Sequence, residues 1–492
     1  MRIYTSDIGN YDGQKVELYG WVHARRDHGK LIFIDLRDRS GLAQIVFGPG
    51  IGLASELRLE YVVRVRGEVK KRPAAMVNEK MPTGMYEVSA TDLEIINKAE
   101  ALPISVDTDG YEIGEEVRLR YRYLDLRRER LQKNVRLRHR VINHMRQYLD
   151  NRGFVEIETP IITKATPEGA RDFLVPARLQ PGKFYALPQS PQQYKQLLMV
   201  AGFEKYYQIA RCFRDEDPRS DRAYGEFTQL DLEMSFTNQE EILNLIEELY
   251  IEIAEKVAGK KVLQKPFPRF TYEEAIRQFG ADKFDLRKDG STRSTNFPRQ
   301  NSGRAAQASS FDSTQDKSPQ AGDPNIMAFA WVVDFPLFET TATRALTPSH
   351  HPFTAPKEED LPLLDTDPLK VRSWQHDLVC NGIEVGGGSI RITNADIQKK
   401  IFRILGHSEQ EIEEKFGHLL EAFRYGVPPH GGIAPGIERL LMVLTAEENV
   451  REVVAFPMSA GGQTSVMDAP SKVDQKQLDE LGLEIKNKIP KS

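Results

Sequence analysis

The chain has 492 residues, enough for two or three domains, and its 40% hydrophobic and 28% charged content is ordinary for a globular protein. Only two cysteines occur, Cys212 and Cys380, which excludes a disulfide framework and suits a reducing cytoplasm; no CxxC or His/Cys cluster suggests zinc. A net charge of −5 excludes a surface built to coat nucleic acid everywhere, though not local basic patches, and neither a secretory core in "MRIYTSDIGN" nor a bilayer-length apolar run points to a membrane.

Residues 1–103 read as five short strands: "QKVELYGWVHARR", "KLIFIDLRD", "GLAQIVFG", "YVVRVRGEVKKR" and "MYEVSATDLEII". Five strands at this spacing, with no helical period between them, predict a small β-barrel of the OB type. Phe33 lies in "LIFID", and spacing alone favours a core position for it. A polar, arginine-rich connection, 104–131, reads as a hinge; helical periodicity then begins in "LQKNVRLRHRVINHMRQYLDNRG". The remainder is a mixed α+β region in two parts, 132–285 and 326–492. Between them, 286–325 is rich in Ser, Gln, Gly and Pro and is expected to form no packed core.

Four stretches carry chemistry. In "GEFTQLDLEMSF" (225–236), Phe227, Gln229, Asp231 and Glu233 alternate with Leu230, Leu232 and Met234, a strand with one greasy and one polar face. It follows "YYQIARCFR" and a charged loop, so a hairpin is expected with Arg214 at its mouth beside Glu216. A polar strand face is costly to bury unless it meets a polar ligand or partners, and arginine's planar fork suits phosphate; a surface ladder of salt bridges is the plainer alternative. In "WQHDLVCNGIEVGGGSIRI" (374–392), Asn381-Gly382 signals a two-residue hairpin that sets Val379 opposite Glu384. Asp377 and Glu384 then share a face at roughly 7 Å, where they could hold Mg²⁺ that also binds phosphate oxygens. Arg391 is seven residues from Glu384, so it joins that face only if a bulge intervenes, and Gly386, Gly387 and Gly388 make a bulge or a close approach plausible in that strand. An exposed hairpin edge is the competing reading. "HGGIAPGIERLLMVL" (430–444) runs a glycine-rich strand into a helix with Arg439 in its first turns, a combination that favours an anion. In "TPEGARDFLVP" and "FYALPQSPQQYKQLL", Glu168 lies in a turn, and Lys195 shares the start of a helix with Gln192; an isolated lysine there is ordinarily a solvated charge.

In this order the stretches closely resemble the class II aminoacyl-tRNA synthetases. "GFVEIETPIIT", "CFRDED…GEFTQLDLE" and "GIAPGIERL" resemble that class's three motifs, and "NGIEVGGGSIRI", "HHPFTAP" and "RYLDLRR" resemble bacterial-type aspartyl-tRNA synthetases. The resemblance covers about 1–285 and 325–470. It implies an OB anticodon domain, a catalytic domain on an antiparallel sheet flanked by helices, and a homodimer with Pro160 at its interface. It implies ATP contacts from Arg214, Asp215, Glu216, Phe227, Gln229, Glu384, Gly436, Ile437, Glu438 and Arg439, with Arg214, Arg439 and Glu384 catalytic. L-Aspartate would meet Glu168, Gln192, Lys195, Arg214, Asp231, His350 and Arg391. Asp377 and Glu384 would carry Mg²⁺, and Arg26, Phe33, Gln44 and Glu87 would read the anticodon of tRNA(Asp).

Three features depart from the family pattern. The extra domain usual between the second and third motifs is replaced by the low-complexity stretch 286–325. "DRAYGEF" is one residue longer than usual and lacks its glutamine. His28 and Ala75 stand where relatives strict for tRNA(Asp) tend to carry Leu and a bulkier residue, a combination that implies charging of tRNA(Asn) as well, with an amidotransferase downstream. Competing readings are an asparaginyl-type synthetase, against which Lys195 argues, and a non-catalytic tRNA-binding paralogue, which would be expected to have lost Arg214, Glu384 or Arg439.

Overall fold

The computed structural model describes residues 2–165, 169–287, 322–341 and 343–486. The chain divides into two compact units, Met1–Ser105 and Val106–Ser492. The first holds β1 (Lys15–His28), β2 (Leu31–Arg37), β3 (Leu42–Phe47), β4 (Val62–Lys71) and β5 (Tyr86–Asn97), closed in the order β1-β2-β3-β5-β4. Closure leaves no sheet edge unpaired. Alternate residues such as Val16, Leu18, Ile34, Leu36 and Val63 fill the interior. Phe33 corrects the core expectation: β2 has period two, so with Ile34 and Leu36 inside, Phe33 sits on the outer face, half-buried.

The second unit is built on eight strands. They are β6 (Val155–Glu156), β7 (Lys205–Arg214), β8 (Gly225–Ser235), β9 (Arg269–Thr271), β10 (Phe329–Val333), β11 (Gln375–Cys380), β12 (Ile383–Ile390) and β13 (His430–Ile433). Their order is β9-β10-β11-β12-β13-β8-β7-β6. The two outermost pairings are parallel and the rest antiparallel. Leu230 and Leu232 of β8 pack with Val141 and Met145 of the helix Glu129–Asp150, Ile246 of Gln239–Glu252, and Leu441 of Ile437–Thr445. One sheet face is thus committed to the core, and the polar residues of the same strands gather on the other.

In the arginine-rich connection the charges are internally neutralised. Asp125 is fully buried and accepts from Arg118 (3.2 Å), Arg122 (2.7 Å) and Arg128 (2.6 Å). Arg122 also donates to the carbonyls of Arg451 and Val454, and Arg118 to Glu452. Buried charge of this kind is tolerated only when paired and fully hydrogen-bonded. Most of the stretch expected as a linker, 288–321, lies outside the described residues.

Candidate active site

The strand pair β7–β8 opens the site. Gly225 pairs with Arg214 and Asp231 with Gln208, so the expected hairpin forms with its charged loop at 215–224. Arg214 lies 5.0 Å over the Phe227 ring, a cation–π contact that fixes both groups at the mouth. The Nε atom of Arg214 is buried and makes no hydrogen bond among the described residues. Glu216 pairs with Arg222, not with Arg214. A pocket here is lined by Arg214, Glu216, Phe227, Gln229, Glu384, Gly436, Glu438 and Arg439, and also by Asp221, Arg222 and Val450. Two residues expected at the nucleotide fall elsewhere. Asp215 accepts from the Tyr224 hydroxyl (3.1 Å), and Ile437 is wholly buried in the core, since only one face of its helix can look into the pocket. Glu438 reaches its place by accepting from the Thr228 amide (2.9 Å) and pairing with Arg138 (2.8 Å). Arg439 donates to the Asp221 carboxylate (3.1 Å) and lies 3.5 Å from Glu384.

Deeper on the same face lies a closed set of four charges. Lys195, in the first turn of the helix Gln192–Val200, contacts Asp231 (3.0 Å) and Glu233 (3.1 Å). Arg391 grips Glu233 with both arms of its fork, Nε at 2.8 Å and Nη2 at 3.0 Å. All four side chains are buried. Burial pushes Glu233 upward, but Arg391 and Lys195 overcome it and hold the carboxyl at about 2. Asp231 goes the other way: burial raises it more than Lys195 lowers it. Its Oδ1 makes no hydrogen bond of good geometry among the described residues; the Tyr206 hydroxyl, pushed up by burial and then by Asp231 beside it, donates to Gln208. Gln192 is buried beside this set and donates to Gln196 (3.2 Å). Glu168 lies outside the described residues.

The carboxylate pair sits on the hairpin β11–β12. Asn381 and Gly382 both have positive φ (52° and 87°), as a type I′ turn requires. Val379 faces Glu384, then the register shifts so that Leu378 faces Gly386 and Asp377 faces Gly387. The one-residue bulge falls at Val385 and brings Glu384, Gly387, Ser389 and Arg391 onto one face, as the spacing of Glu384 and Arg391 demands. A Cβ on Gly387 would lie 3.1 Å from Asp377, 3.2 Å from His350 and 3.6 Å from Glu384, so a side chain here would press on the first two. On β13, a Cβ on Gly432 would lie 2.2 Å from the Glu233 carboxylate.

His350 therefore stands against the two carboxylates, while His351 touches Arg391. Burial, then Arg391, lowers His350 to about 3, so the ring is neutral at pH 7. Asp377 is raised well above the usual range by burial and by Glu384, and it accepts from the Gln375 side chain (3.2 Å). Burial also opposes ionisation of Glu384, but Arg439 and Lys283 hold it at about 2. Among the described residues no three His, Cys, Asp or Glu side chains are arranged to hold a metal by themselves. Two hard carboxylates, of which Glu384 lines the pocket, do fit an ion such as Mg²⁺, which keeps water and takes phosphate oxygens as its other ligands.

On the barrel of the first unit, three of the four expected anticodon residues form one connected row. Arg26 pairs with Asp35 (2.7 Å) and reaches Gln44 (3.4 Å), and Gln44 donates to Glu87 (3.0 Å). His28 meets Phe33 edge-on at 5.5 Å between ring centres. Ala75 is exposed on the turn Ala74–Met76.

Sequence reasoning assigned no role to Glu233, Asp221, Arg222, His351 or Lys283. Glu233 did carry a signal, being an acidic residue on a strand whose other face is core. The others are joined to the site by contacts that no local pattern encodes.

The family of class II tRNA synthetases (D, K and N) matches residues 114–460, and the OB-fold nucleic acid binding domain family matches 16–96. The chain is 46% identical to the aspartate–tRNA(Asp/Asn) ligase of Rubrobacter xylanophilus, with 96% of this chain and 95% of that protein covered. It is 44% identical to the one of Halothermothrix orenii, covering 98% and 97%. The Rubrobacter alignment runs over 570 positions, so about a hundred of them have no residue in this chain. Among solved structures, asparaginyl-tRNA synthetase from Pyrococcus horikoshii with asparaginyl-adenylate superposes with a TM-score of 0.71 at 23% identity, covering 93% of this chain and 98% of that one. Aspartyl-tRNA synthetase from Entamoeba histolytica gives 0.69 at 21%, covering 92% and 91%. A nucleotide-sized pocket over an antiparallel sheet, an OB barrel and relatives matched nearly end to end place the chain in the class II aminoacyl-tRNA synthetases of the aspartate, lysine and asparagine group.

Proposed function

We propose that the protein is an aspartate–tRNA ligase that forms aspartyl-adenylate from L-aspartate and ATP and passes the aspartyl group to tRNA(Asp), and to tRNA(Asn) as well. The observation that carries this is the buried four-charge set. Lys195 and Arg391 present cations to a short side-chain carboxylate, and the unpartnered Asp231 Oδ1 accepts the substrate ammonium. Asparagine would leave part of that cationic charge without an anion in a buried site, which is a strong basis for rejection.

The chemistry needs no protein nucleophile. An oxygen of the substrate α-carboxylate bonds to the α-phosphorus, the bond to the bridging oxygen breaks, and pyrophosphate leaves with the electron pair. Arg214 holds the α-phosphate against the attacking carboxylate while Phe227 stacks on adenine, and Arg439 meets the far phosphates. Asp377 and Glu384 would hold Mg²⁺, which neutralises charge on the phosphates. Neutral His350 closes that end of the site without adding a cation. The terminal ribose hydroxyl of tRNA then displaces AMP.

The row Arg26–Gln44–Glu87 with half-buried Phe33 suits stacking and edge recognition of unpaired anticodon bases. His28 against Phe33, and the small Ala75, support relaxed choice between the two tRNAs and hence a downstream amidotransferase. Exposed Val155, Ile161 and Ile162 around Pro160 support a homodimer. The two buried free cysteines suit the cytoplasm. The positions left without a residue in the Rubrobacter alignment support loss of the extra domain at 286–325.

The test is aspartylation of purified tRNA(Asp) and tRNA(Asn) transcripts at one salt concentration, with aspartate- and asparagine-dependent ATP–pyrophosphate exchange alongside. Comparable charging of both carries the full reading. Charging of tRNA(Asp) alone refutes the role given to His28 and Ala75, and asparagine-dependent exchange refutes the aspartate assignment.

A further inference from the structure

Lys283 reaches Glu384 from a part of the chain that the nucleotide contacts above do not use. Its Nζ lies 2.8 Å from Glu384 Oε2, the same oxygen that Arg439 approaches at 3.5 Å. The lysine is held in place from its C-terminal side. Phe284 stacks on Phe279 (4.1 Å between ring centres) and packs on Val332 and Val379 of β10 and β11. Its carbonyl accepts the Gly382 amide (3.0 Å) at the turn of the β11–β12 hairpin. Asp285 and Arg287 pair beside it (2.8 Å). The backbone is thus fixed against the hairpin that carries Glu384, and only the flexible four-carbon stem can move.

A pair with the lysine side chain 44% exposed adds little to stability, so its placement calls for another account. On the ligase reading, Glu384 must give its oxygens to the divalent ion that arrives with ATP. A lysine ammonium at 2.8 Å occupies the carboxylate from which the ion would bind. Once displaced, that ammonium stands beside a polyphosphate about to leave with an added electron pair. We propose that Lys283 is a further phosphate-binding residue, which neutralises Glu384 before nucleotide binds and then donates hydrogen bonds to the pyrophosphate oxygens. This rests on the ligase reading of the same site.

The experiment uses the full chain with Lys283→Met and Lys283→Arg. Binding of Mn²⁺ without nucleotide is read by electron paramagnetic resonance, and the KM for pyrophosphate by aspartate-dependent exchange. Lys283→Met is expected to bind Mn²⁺ about two- to fivefold more tightly, the size of a half-exposed ion pair. Its KM for pyrophosphate is expected to rise about 10- to 100-fold, the size of a charge-assisted hydrogen bond, with Lys283→Arg restoring most of it and the KM for aspartate unmoved. An unchanged pyrophosphate KM, or weakened Mn²⁺ binding, overturns the proposal. Should Lys283→Met not fold, Lys283→Gln takes its place in the same comparison. A wild-type protein without aspartate-dependent exchange sinks the ligase reading itself, before any variant is compared.

Discussion

Replacing Lys195 with Met removes the ammonium and keeps most of the side-chain volume. The residue contacts Asp231 at 3.0 Å and Glu233 at 3.1 Å, with all three side chains at most 1% exposed. Glu233 keeps its two-armed hold on Arg391, so Asp231 is the carboxylate left without an ion-pair partner. Breaking such a buried pair costs about 3–5 kcal/mol, much of it the penalty of stranding the remaining charge. Asp231 already sits above the ordinary aspartate range through burial, and losing Lys195 raises it further. A carboxyl whose folded pKa exceeds its unfolded one contributes stability that is present below about pH 4 and lost as pH rises through the folded value. The stability gap between wild type and variant should therefore widen from pH 5 to pH 8. Substrate binding falls with it: one lost charge-assisted hydrogen bond is about 1.5–3 kcal/mol, or roughly 10- to 100-fold in the KM for aspartate. Urea denaturation followed by tryptophan fluorescence, together with ATP–pyrophosphate exchange, measures both; Trp331 lies in the core beneath this sheet. A gap independent of pH, or an unchanged KM, would refute the reasoning.

Phe227→Ala should raise the KM for ATP about tenfold through lost stacking while leaving the KM for aspartate alone, as exchange kinetics would reveal. Asp125→Asn should destabilise the second unit by about 3–5 kcal/mol at neutral pH, because three arginines lose their shared anion. Those arginines hold Asp125 below the usual carboxylate range against the pull of burial, so its contribution is present above about pH 4 and is lost as pH falls through the depressed value; the wild-type and variant stability curves should converge only in acid. Replacing 288–321 with a short Gly/Ser linker should leave adenylate formation intact, and loss of aspartate-dependent exchange in that variant would contradict the linker reading.

What could be read from the sequence was what local rules encode. The alternation of β8, the five barrel strands and the Asn381-Gly382 turn each follow from period and turn chemistry, and each appears where expected. A bulge in β12 followed from parity only on the condition that Arg391 share the face of Glu384, and it falls at Val385. Ionic pairings across long separations were not legible. Glu233 and Arg391 are 158 residues apart, and Asp221 meets Arg439 across 218. The arginines of the connection 104–131 gave no sign of their partners, because Asp125, Glu452 and the carbonyls that bind them follow no local pattern. Phe33 was misjudged because an aromatic residue between two isoleucines gives no sign of which face is inside.

The bulge at Val385 makes the catalytic face a matter of counting. Removing that one residue would leave Glu384 and Arg391 six apart, so plain alternation would keep both on one face with the same partners on β11. A residue gained or lost elsewhere in β12 has no such escape: Ser389 and Arg391 would turn toward the core, and Arg391 would no longer meet Glu233. Point substitutions in this hairpin can be graded in effect, but a change of length away from the bulge is all or nothing, so the bulge is the one place in the strand where a residue can be spared.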